Sequence, residues 1–122
     1  MNLPFKFINL DQIVEIGLLT DVIRAHYARQ SDSGFHGVYD LINQKPPEAE
    51  LKRKEAINAL SPEARQELIA ILFFARRADR NPHYWEADLR YAGKQLGNPN
   101  ILDTDNLHDY IKLGLEAFGT AY

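Results

Sequence analysis

Apolar residues are most concentrated in mid-chain, where Leu68–Ala75 is an unbroken apolar run of eight residues. Positions before and within this run share one helical face: Ala64, Leu68, Ile71, Leu72 and Ala75. Ile69, Phe73 and Phe74 extend the apolar surface round the other faces, so other elements should surround this segment. Periodicity alone leaves a buried strand open, but the Ser-Pro-Glu start and the Ala, Leu, Glu and Gln content favour a central helix from Ser61 to Arg77.

Both ends of this segment carry helix signals. The Ser61 hydroxyl can accept from the free amides of a first turn, and Pro62 suits the first helical position. Glu63 would lie at the positive end of the helix dipole, and Arg76 and Arg77 at the negative end.

A first helix is predicted upstream. Asn9 and Gln12 have the spacing of a capping box, and the helix should end near Arg29 or Gln30. Gly17 within it predicts close packing against another helix, because Gly costs up to about 1 kcal/mol relative to Ala. The expected buried face comprises Ile13, Ile16, Gly17, Thr20, Ile23 and Tyr27, widened by Val14, Leu18 and Val22.

Between this helix and the central one, the polar segment Gln30–Gly37 predicts a loop and Val38–Asn43 a short helical turn. Pro46-Pro47 should break the chain, and a helix is expected from Glu48 to Leu60. Its apolar positions are Leu51, Ala56, Ile57 and Leu60. Three consecutive cations, Lys52, Arg53 and Lys54, are interpreted as a solvated face.

Two helices are predicted after a turn at Ala78–Arg80. Asn81-Pro82 repeats the cap-then-proline pattern, and this helix should stop at Gly93 or Gly97. The last helix is expected to begin between Asp103 and Asp105 and to run to Phe118, with Gly119 as its stop. Their buried stripes comprise Trp85, Leu89, Ala92 and Leu96 in one and Leu107, Tyr110, Ile111, Gly114, Leu115 and Phe118 in the other.

The pattern as a whole predicts an all-α protein: residues 1–122 as a single-domain, compact bundle of about five helices around the central apolar helix. A chain of 122 residues and 14.0 kDa is long enough for one such core. It has no cysteine, which excludes disulfides and thiolate chemistry. The N-terminal residues lack a signal-peptide pattern, and no apolar run could span a membrane. We therefore expect a cytoplasmic protein without a membrane partner.

The net charge of −3 is unevenly distributed. Residues 45–80 carry eight basic and six acidic side chains, whereas residues 98–122 carry one basic and four acidic side chains. A basic middle between acidic ends can be satisfied within the chain or across a homodimer. It argues mildly against nucleic-acid binding, which usually accompanies a clear basic excess.

One cluster of side chains could bind a ligand or a protein partner: Arg76, Arg77, Asp79, Arg80, His83 and Trp85. Arginine forks recognise carboxylates and phosphates, so an anionic ligand or an acidic helix would fit. The structural alternative, which we favour, is that the arginines complement a helix C-terminus and pair with Asp79, Glu86 or Asp88.

Other candidate chemistry is weaker. Asp103, Asp105, His108 and Asp109 could ligate a metal, but the spacing fails the calcium-loop pattern and the aspartates suit helix caps. His36 in the Gly34–Gly37 loop has no motif partner. A helix-turn-helix over Glu48–Arg77 would need a polar recognition helix, and this one is apolar after Glu67. No metal, cofactor or catalytic residue is predicted.

A resemblance to a small bacterial family of unknown function is carried by Leu60-Ser61-Pro62-Glu63, Glu67-Leu68-Ile69-Ala70, Arg76, Asp79, Trp85-Glu86 and the segment Asp109–Leu115. That family has a Leu-Ser-x-Glu…Glu-Leu-x-Ala-Leu helix, a Trp-x-Gly-Arg-Gly-Asp-like turn and a Tyr-Leu…Gly-Leu helix. The chain departs from it at Phe73, Ala75 and Ala78. The resemblance implies a small helical domain and no activity.

Three functions remain open on the sequence. A non-enzymatic helical protein-interaction module, which binds another protein or a second copy of itself, is favoured by the lack of a catalytic constellation and by the apolar excess. An enzyme or small anionic-ligand binder would use Arg76, Arg80, His83 and Trp85. Nucleic-acid binding is the third.

Overall fold

The apolar mid-chain segment folds as a helix, and every regular element in the described ranges of the computed structural model is helical. The structure describes residues 3–32, 48–98, 100–104 and 106–119, without the side chains of residues 28–32. The predictions for His36, Gly34–Gly37, Val38–Asn43 and Pro46-Pro47 lie outside these ranges. The described residues form five α-helices: α1 (Leu10–Asp32), α2 (Glu48–Ala59), α3 (Pro62–Ala75), α4 (Trp85–Lys94) and α5 (Leu107–Ala117).

The central helix α3 begins as the sequence predicts. Ser61 is its N-cap, and the Ser61 hydroxyl accepts from the Ala64 N–H at 3.1 Å. The helix ends at Ala75 rather than Arg77, and Arg76 is the C-cap. All five residues of the predicted apolar face are buried, as are Ile69 and Phe74, while Phe73 is half-buried.

The helices pack around a common core, as expected for an all-α bundle. α3 packs against α4 and α5, and α1 packs against α2 and α5. Buried side chains from α1, α3, α4 and α5 and from the segments that flank them form one continuous core, which includes Ile8, Ile13, Ile16, Leu68, Ile71, Leu72, Phe74, Trp85, Ala92, Leu107, Ile111 and Leu115.

The capping box at the start of α1 is confirmed. The Asn9 N–H donates to the Gln12 side chain at 3.0 Å, and the Gln12 N–H donates to the Asn9 side chain at 2.8 Å. The predicted end of α1 near Arg29 or Gln30 is slightly short, because the helix continues to Asp32.

The predicted width of the buried face of α1 is wrong. Leu18 and Val22 are 53% and 51% exposed, and Val14 is only half-buried. Tyr27, expected on the buried face, is also exposed. Of the described helices, only α2 and α5 pack extensively against α1, and Leu18 and Val22 remain exposed beside these two contacts.

Gly17 permits the close helix packing predicted for it. A Cβ at this position would lie 2.6 Å from the His108 Cδ2 atom on α5. Gly114 plays the same part where α5 meets α3, since a Cβ there would lie 3.0 Å from the Ile71 side chain. Gly119 adopts φ 83° just after α5, which is the expected glycine stop.

The interpretation of Lys52, Arg53 and Lys54 as a solvated face is wrong for Arg53, which is 4% exposed. The Arg53 guanidinium donates to the Asp103 carboxylate at 2.6 Å and to the Thr20 hydroxyl at 3.3 Å. It therefore links α2, α1 and the segment before α5 from within the bundle. Lys52 and Lys54 are exposed, as predicted.

Two boundaries in the second half differ from the prediction. Asn81 caps a short 3₁₀ turn, Pro82–Tyr84, and α4 begins only at Trp85. The last helix, α5, begins at Leu107 instead of between Asp103 and Asp105. The Asp103 carboxylate pairs with Arg53, so it is not the helix cap that the sequence suggested.

Glu67 fixes the N-terminal segment to the central helix. Its buried carboxylate accepts backbone hydrogen bonds from Lys6 at 2.7 Å, and from Phe7 and Ile8 at 2.8 Å each. Three N–H donors replace the water that the carboxylate loses on burial.

Candidate functional site

The surface predicted from the sequence, Arg76 to Trp85, lies where α3 ends and α4 begins. Arg76 is exposed, and its guanidinium lies over the Tyr110 ring, 5.2 Å from the ring centroid. Asp79 and His83 are exposed, and the His83 ring contacts the Tyr84 ring edge-on. The Arg80 guanidinium donates to the carbonyls of Ala75 and Arg77 at 3.4 and 3.1 Å, which caps the end of α3.

Arg77 forms a two-pronged ion pair with the buried Asp88. Its Nε and Nη2 atoms each donate to one carboxylate oxygen, both at 2.8 Å. The hydrogen bond to Asp88 raises the pKa of Arg77 above its ordinary value. Because the guanidinium also stacks on the Tyr84 ring at 4.4 Å, Arg77 joins the end of α3 to α4.

Trp85 belongs to the core and is 4% exposed. Its ring makes edge-on contacts with Phe5, Phe74 and Phe118, at centroid distances of 5.4, 6.2 and 5.6 Å. Aromatic pairs in this geometry stabilise a core beyond the effect of burial alone. The indole therefore anchors α4 against the N-terminal segment, α3 and the end of α5.

The predicted residues thus all lie at the turn between α3 and α4. Three of them, Arg77, Arg80 and Trp85, have partners inside the protein. Arg76, Asp79 and His83 keep exposed side chains on the outer side of the turn. The contacts agree with the structural alternative for this cluster, and its use as a binding surface stays a prediction.

The acidic segment around Asp103 divides between two partners. Asp103 binds Arg53, whereas the buried His108 contacts the Asp21 carboxylate on α1 through Nδ1. Asp105 lies outside the described residues. Within the described ranges, no three His, Asp or Glu side chains form a group that could hold a metal ion.

A charged cluster joins α1 and α5 beside His108. Arg24 donates to Asp109 at 3.0 Å and lies 3.5 Å from the Asp21 carboxylate. The hydrogen bond between Arg24 and Asp109 raises the pKa of Arg24 and lowers that of Asp109. This cluster holds α1 against α5 beside the seam, which is the close contact between Gly17 and His108. Its role is structural.

An apolar ridge on α1 is the most conspicuous exposed feature that the sequence reading missed. It comprises Leu10, Val14, Leu18 and Val22, spaced four residues apart, and three of these side chains are exposed. Four-residue spacing produces a continuous ridge on a helix. The available signal was the apolar width of α1.

A cavity of about 600 Å³ was also missed. It opens between α2, the first turns of α3 and the connection from α4 to α5, and Arg53, Lys54 and Arg65 contribute to its walls. The sequence offered no local signal for it, because its lining comes from three separate segments.

Comparison with known proteins identifies no relative: no family model, curated protein sequence or solved structure matches the chain. The resemblance to a small bacterial helical family therefore stays a prediction. Among the helices that the structure describes, none combines the length and apolarity needed to cross a membrane.

Proposed function

We propose that the protein is a non-enzymatic helical interaction module that binds a helix of another protein on the α1 ridge. The observation that supports this most directly is the exposure of Leu18 and Val22, by 53% and 51%, on a helix whose other sides are packed. Contiguous exposed apolar surface on a soluble domain commonly marks an interaction site.

The shape of the ridge suits a helical partner. Leu10 to Val22 spans four helical positions in one i, i+4 row, about 18 Å long at 1.5 Å per residue. Such rows pack into the grooves of a second helix. The apolar face of an amphipathic helix would cover the ridge and remove Leu18 and Val22 from water.

The charges beside the ridge favour a basic partner. Asp11 and Glu15 are exposed on one border, and no Lys or Arg among the described residues forms an ion pair with them. Two copies that crossed antiparallel at Leu18 would bring Glu15 of one towards Asp21 of the other. Because like charges oppose that arrangement, a different protein with Lys or Arg beside its apolar stripe fits better than a homodimer.

The test measures binding of two synthetic amphipathic helices by fluorescence anisotropy. Both have the same leucine stripe, one flanked by Lys and the other by Glu. We expect the Lys-flanked helix to bind more tightly, and Leu18→Lys to weaken that binding by about tenfold or more, as for the centre of an interface.

The matched control is Leu51→Lys, because Leu51 is 55% exposed on a different helix, α2, where it lines the cavity described above. This control should leave binding unchanged. Equal binding of both peptides, or equal losses in both variants, would refute the ridge as the site. Light scattering tests the homodimer separately, since a mass that stays at 14.0 kDa at all concentrations removes it.

The alternative functions gain less support. The anion-binding surface at Arg76, Arg80, His83 and Trp85 has its Trp85 in the core and its Arg80 on backbone carbonyls. For nucleic acid, α3 would be the recognition helix, but most of its residues are buried. An enzymatic activity has no proposed catalytic residue.

A further inference from the structure

The cavity of about 600 Å³ has the size of a small-molecule site. One wall is α2, a second is the start of α3, and the third is the chain between α4 and α5. Apolar side chains from all three segments line it: Ile57, Ile69, Leu96, Ile101 and Leu102. Such a lining favours a ligand with an apolar body.

Arg65 contributes a cation to the wall of this cavity. Its Nη2 atom donates to the Leu60 carbonyl at 3.3 Å, but its Nε atom is buried and has no hydrogen-bond partner. A buried donor without an acceptor destabilises the folded chain. Because this Nε atom has almost no accessible surface, a ligand in the cavity would meet Arg65 through the positive charge of its guanidinium, and a carboxylate suits such a cation.

The other charged side chains at the cavity offset this cation only in part. Arg53 is already paired with Asp103, and Glu50 accepts from the Tyr27 hydroxyl at 3.2 Å. Lys54 is exposed at the cavity, and neither it nor Arg65 forms an ion pair with a carboxylate among the described residues. The charged side chains of the lining, Arg53, Lys54 and Arg65 against Glu50 and Asp103, therefore carry a net charge of +1.

We propose that this cavity binds an amphipathic carboxylate: a small molecule with one carboxylate head on Arg65 and an aliphatic or aromatic body against Ile57, Ile69 and Ile101. Lys54 adds positive charge at the entrance. The site is separate from the α1 ridge, so it stands or falls independently of the proposed interaction with a partner helix.

The test uses 4-phenylbutyrate as the probe and its neutral amide, 4-phenylbutanamide, as the matched ligand. Binding to the full chain is measured by calorimetry and by amide chemical shifts. We expect the acid to bind at least about tenfold more tightly than the amide, a difference equivalent to about 1.4 kcal/mol. Shifts should centre on the amides of Ile57, Arg65 and Ile101.

Two variants and one control locate the head and the body. Arg65→Gln should remove the preference for the acid, whereas Arg90→Gln on the exposed side of α4 should leave it intact. Gly97→Leu should reduce binding of both ligands, because Gly97 lines the cavity and a Cβ there meets no atom within 4 Å. This variant adds bulk in open space, so it tests the site even if Arg65→Gln does not fold.

The proposal is overturned if the acid and the amide bind equally, if neither binds, or if Gly97→Leu binds as the unmodified chain does. A third ligand, 4-phenylbutyl phosphate, separates the possible anions. Tighter binding of the phosphate than of the carboxylate would overturn the assignment of a carboxylate head.

Discussion

The helices α3 and α1 both carry apolar residues on more than one face, yet the bundle uses them differently. In α3, Leu68 and Leu72 on one face and Ile69 on another are all buried. In α1, Ile13 and Ile16 are buried, whereas Leu18 and Val22 lie in solvent. The difference follows from what surrounds them, because α3 is covered by α4, α5 and the N-terminal segment, whereas of the described helices only α2 and α5 pack extensively against α1. Apolar width on a helix therefore predicts burial only when enough elements surround it.

The strongest way to test this comparison is to truncate one leucine in each helix. Leu72→Ala should lower the free energy of unfolding by about 2–5 kcal/mol, since it leaves a cavity in the core. Leu18→Ala should change it by less than about 0.5 kcal/mol, as for other surface substitutions. Urea denaturation of both variants measures the two effects. Similar losses would show that α1 is covered on its outer side.

A smaller loss in the free energy of unfolding is expected where the inner side of α1 meets α5. Gly17→Ala would place a Cβ 2.6 Å from the His108 ring, which is buried and held by Asp21. The seam must open or the ring must move, so we expect a loss of about 1–3 kcal/mol. The control is Gly97→Ala, whose Cβ would meet no atom within 4 Å. If thermal unfolding shows both variants to be equally stable, the seam is looser than described.

The next smaller loss in the free energy of unfolding is expected where the N-terminal segment is attached to α3. Glu67→Gln replaces one accepting oxygen by an amide, so one of the three backbone donors at Lys6, Phe7 and Ile8 loses its acceptor. We expect a loss of about 1–2 kcal/mol and faster hydrogen exchange at these three amides. Glu63→Gln, on the exposed first turn of α3, is the matched control and should leave the exchange unchanged.

The smallest effect concerns the ion pair between Arg24 and Asp109 at the edge of α1. The hydrogen bond from Arg24 lowers the pKa of Asp109, so the unfolded chain takes up this proton first as the pH falls. The stabilisation is therefore complete above the ordinary carboxyl pKa of about 4 and is lost as the pH falls through the lower folded value. Because both side chains are about half exposed, it should stay below about 1 kcal/mol.

Urea denaturation between about pH 6 and about pH 2 checks this prediction in the unmodified chain and in Asp109→Asn. The variant should lose less stability on acidification than the unmodified chain. Identical losses in the two proteins would contradict a stabilising pair at this position.

Much of the fold followed from local signals. Ser61 and the Asn9–Gln12 pair marked two helix starts because caps depend on residues a few positions apart. Arg53 was misread for the opposite reason. Its partners, Thr20 and Asp103, are 33 and 50 residues away in the chain, and no local pattern indicates such a contact. Glu67 was likewise recognisable only as a helix residue, because its donors lie about 60 residues upstream.

The candidate sites depended on tertiary structure still more strongly. Trp85 stood beside a run of arginines in the sequence and was therefore included in a surface, although its ring packs on Phe5 and Phe118 from the two ends of the chain. Three residues of the α1 ridge, Val14, Leu18 and Val22, were visible as apolar positions but were assigned to the buried face. The cavity at Arg65 had no sequence signature.

The sequence by itself determined that the chain is helical, where α1 and α3 begin, and that Leu68–Ala75 lies in the core, because capping, helix propensity and apolar periodicity act over a few residues. Only the tertiary structure decided which apolar stripe is covered, which arginine is buried, and where a cavity opens. These properties depend on contacts between residues far apart in the chain, and burial is a property of the neighbours that surround a side chain.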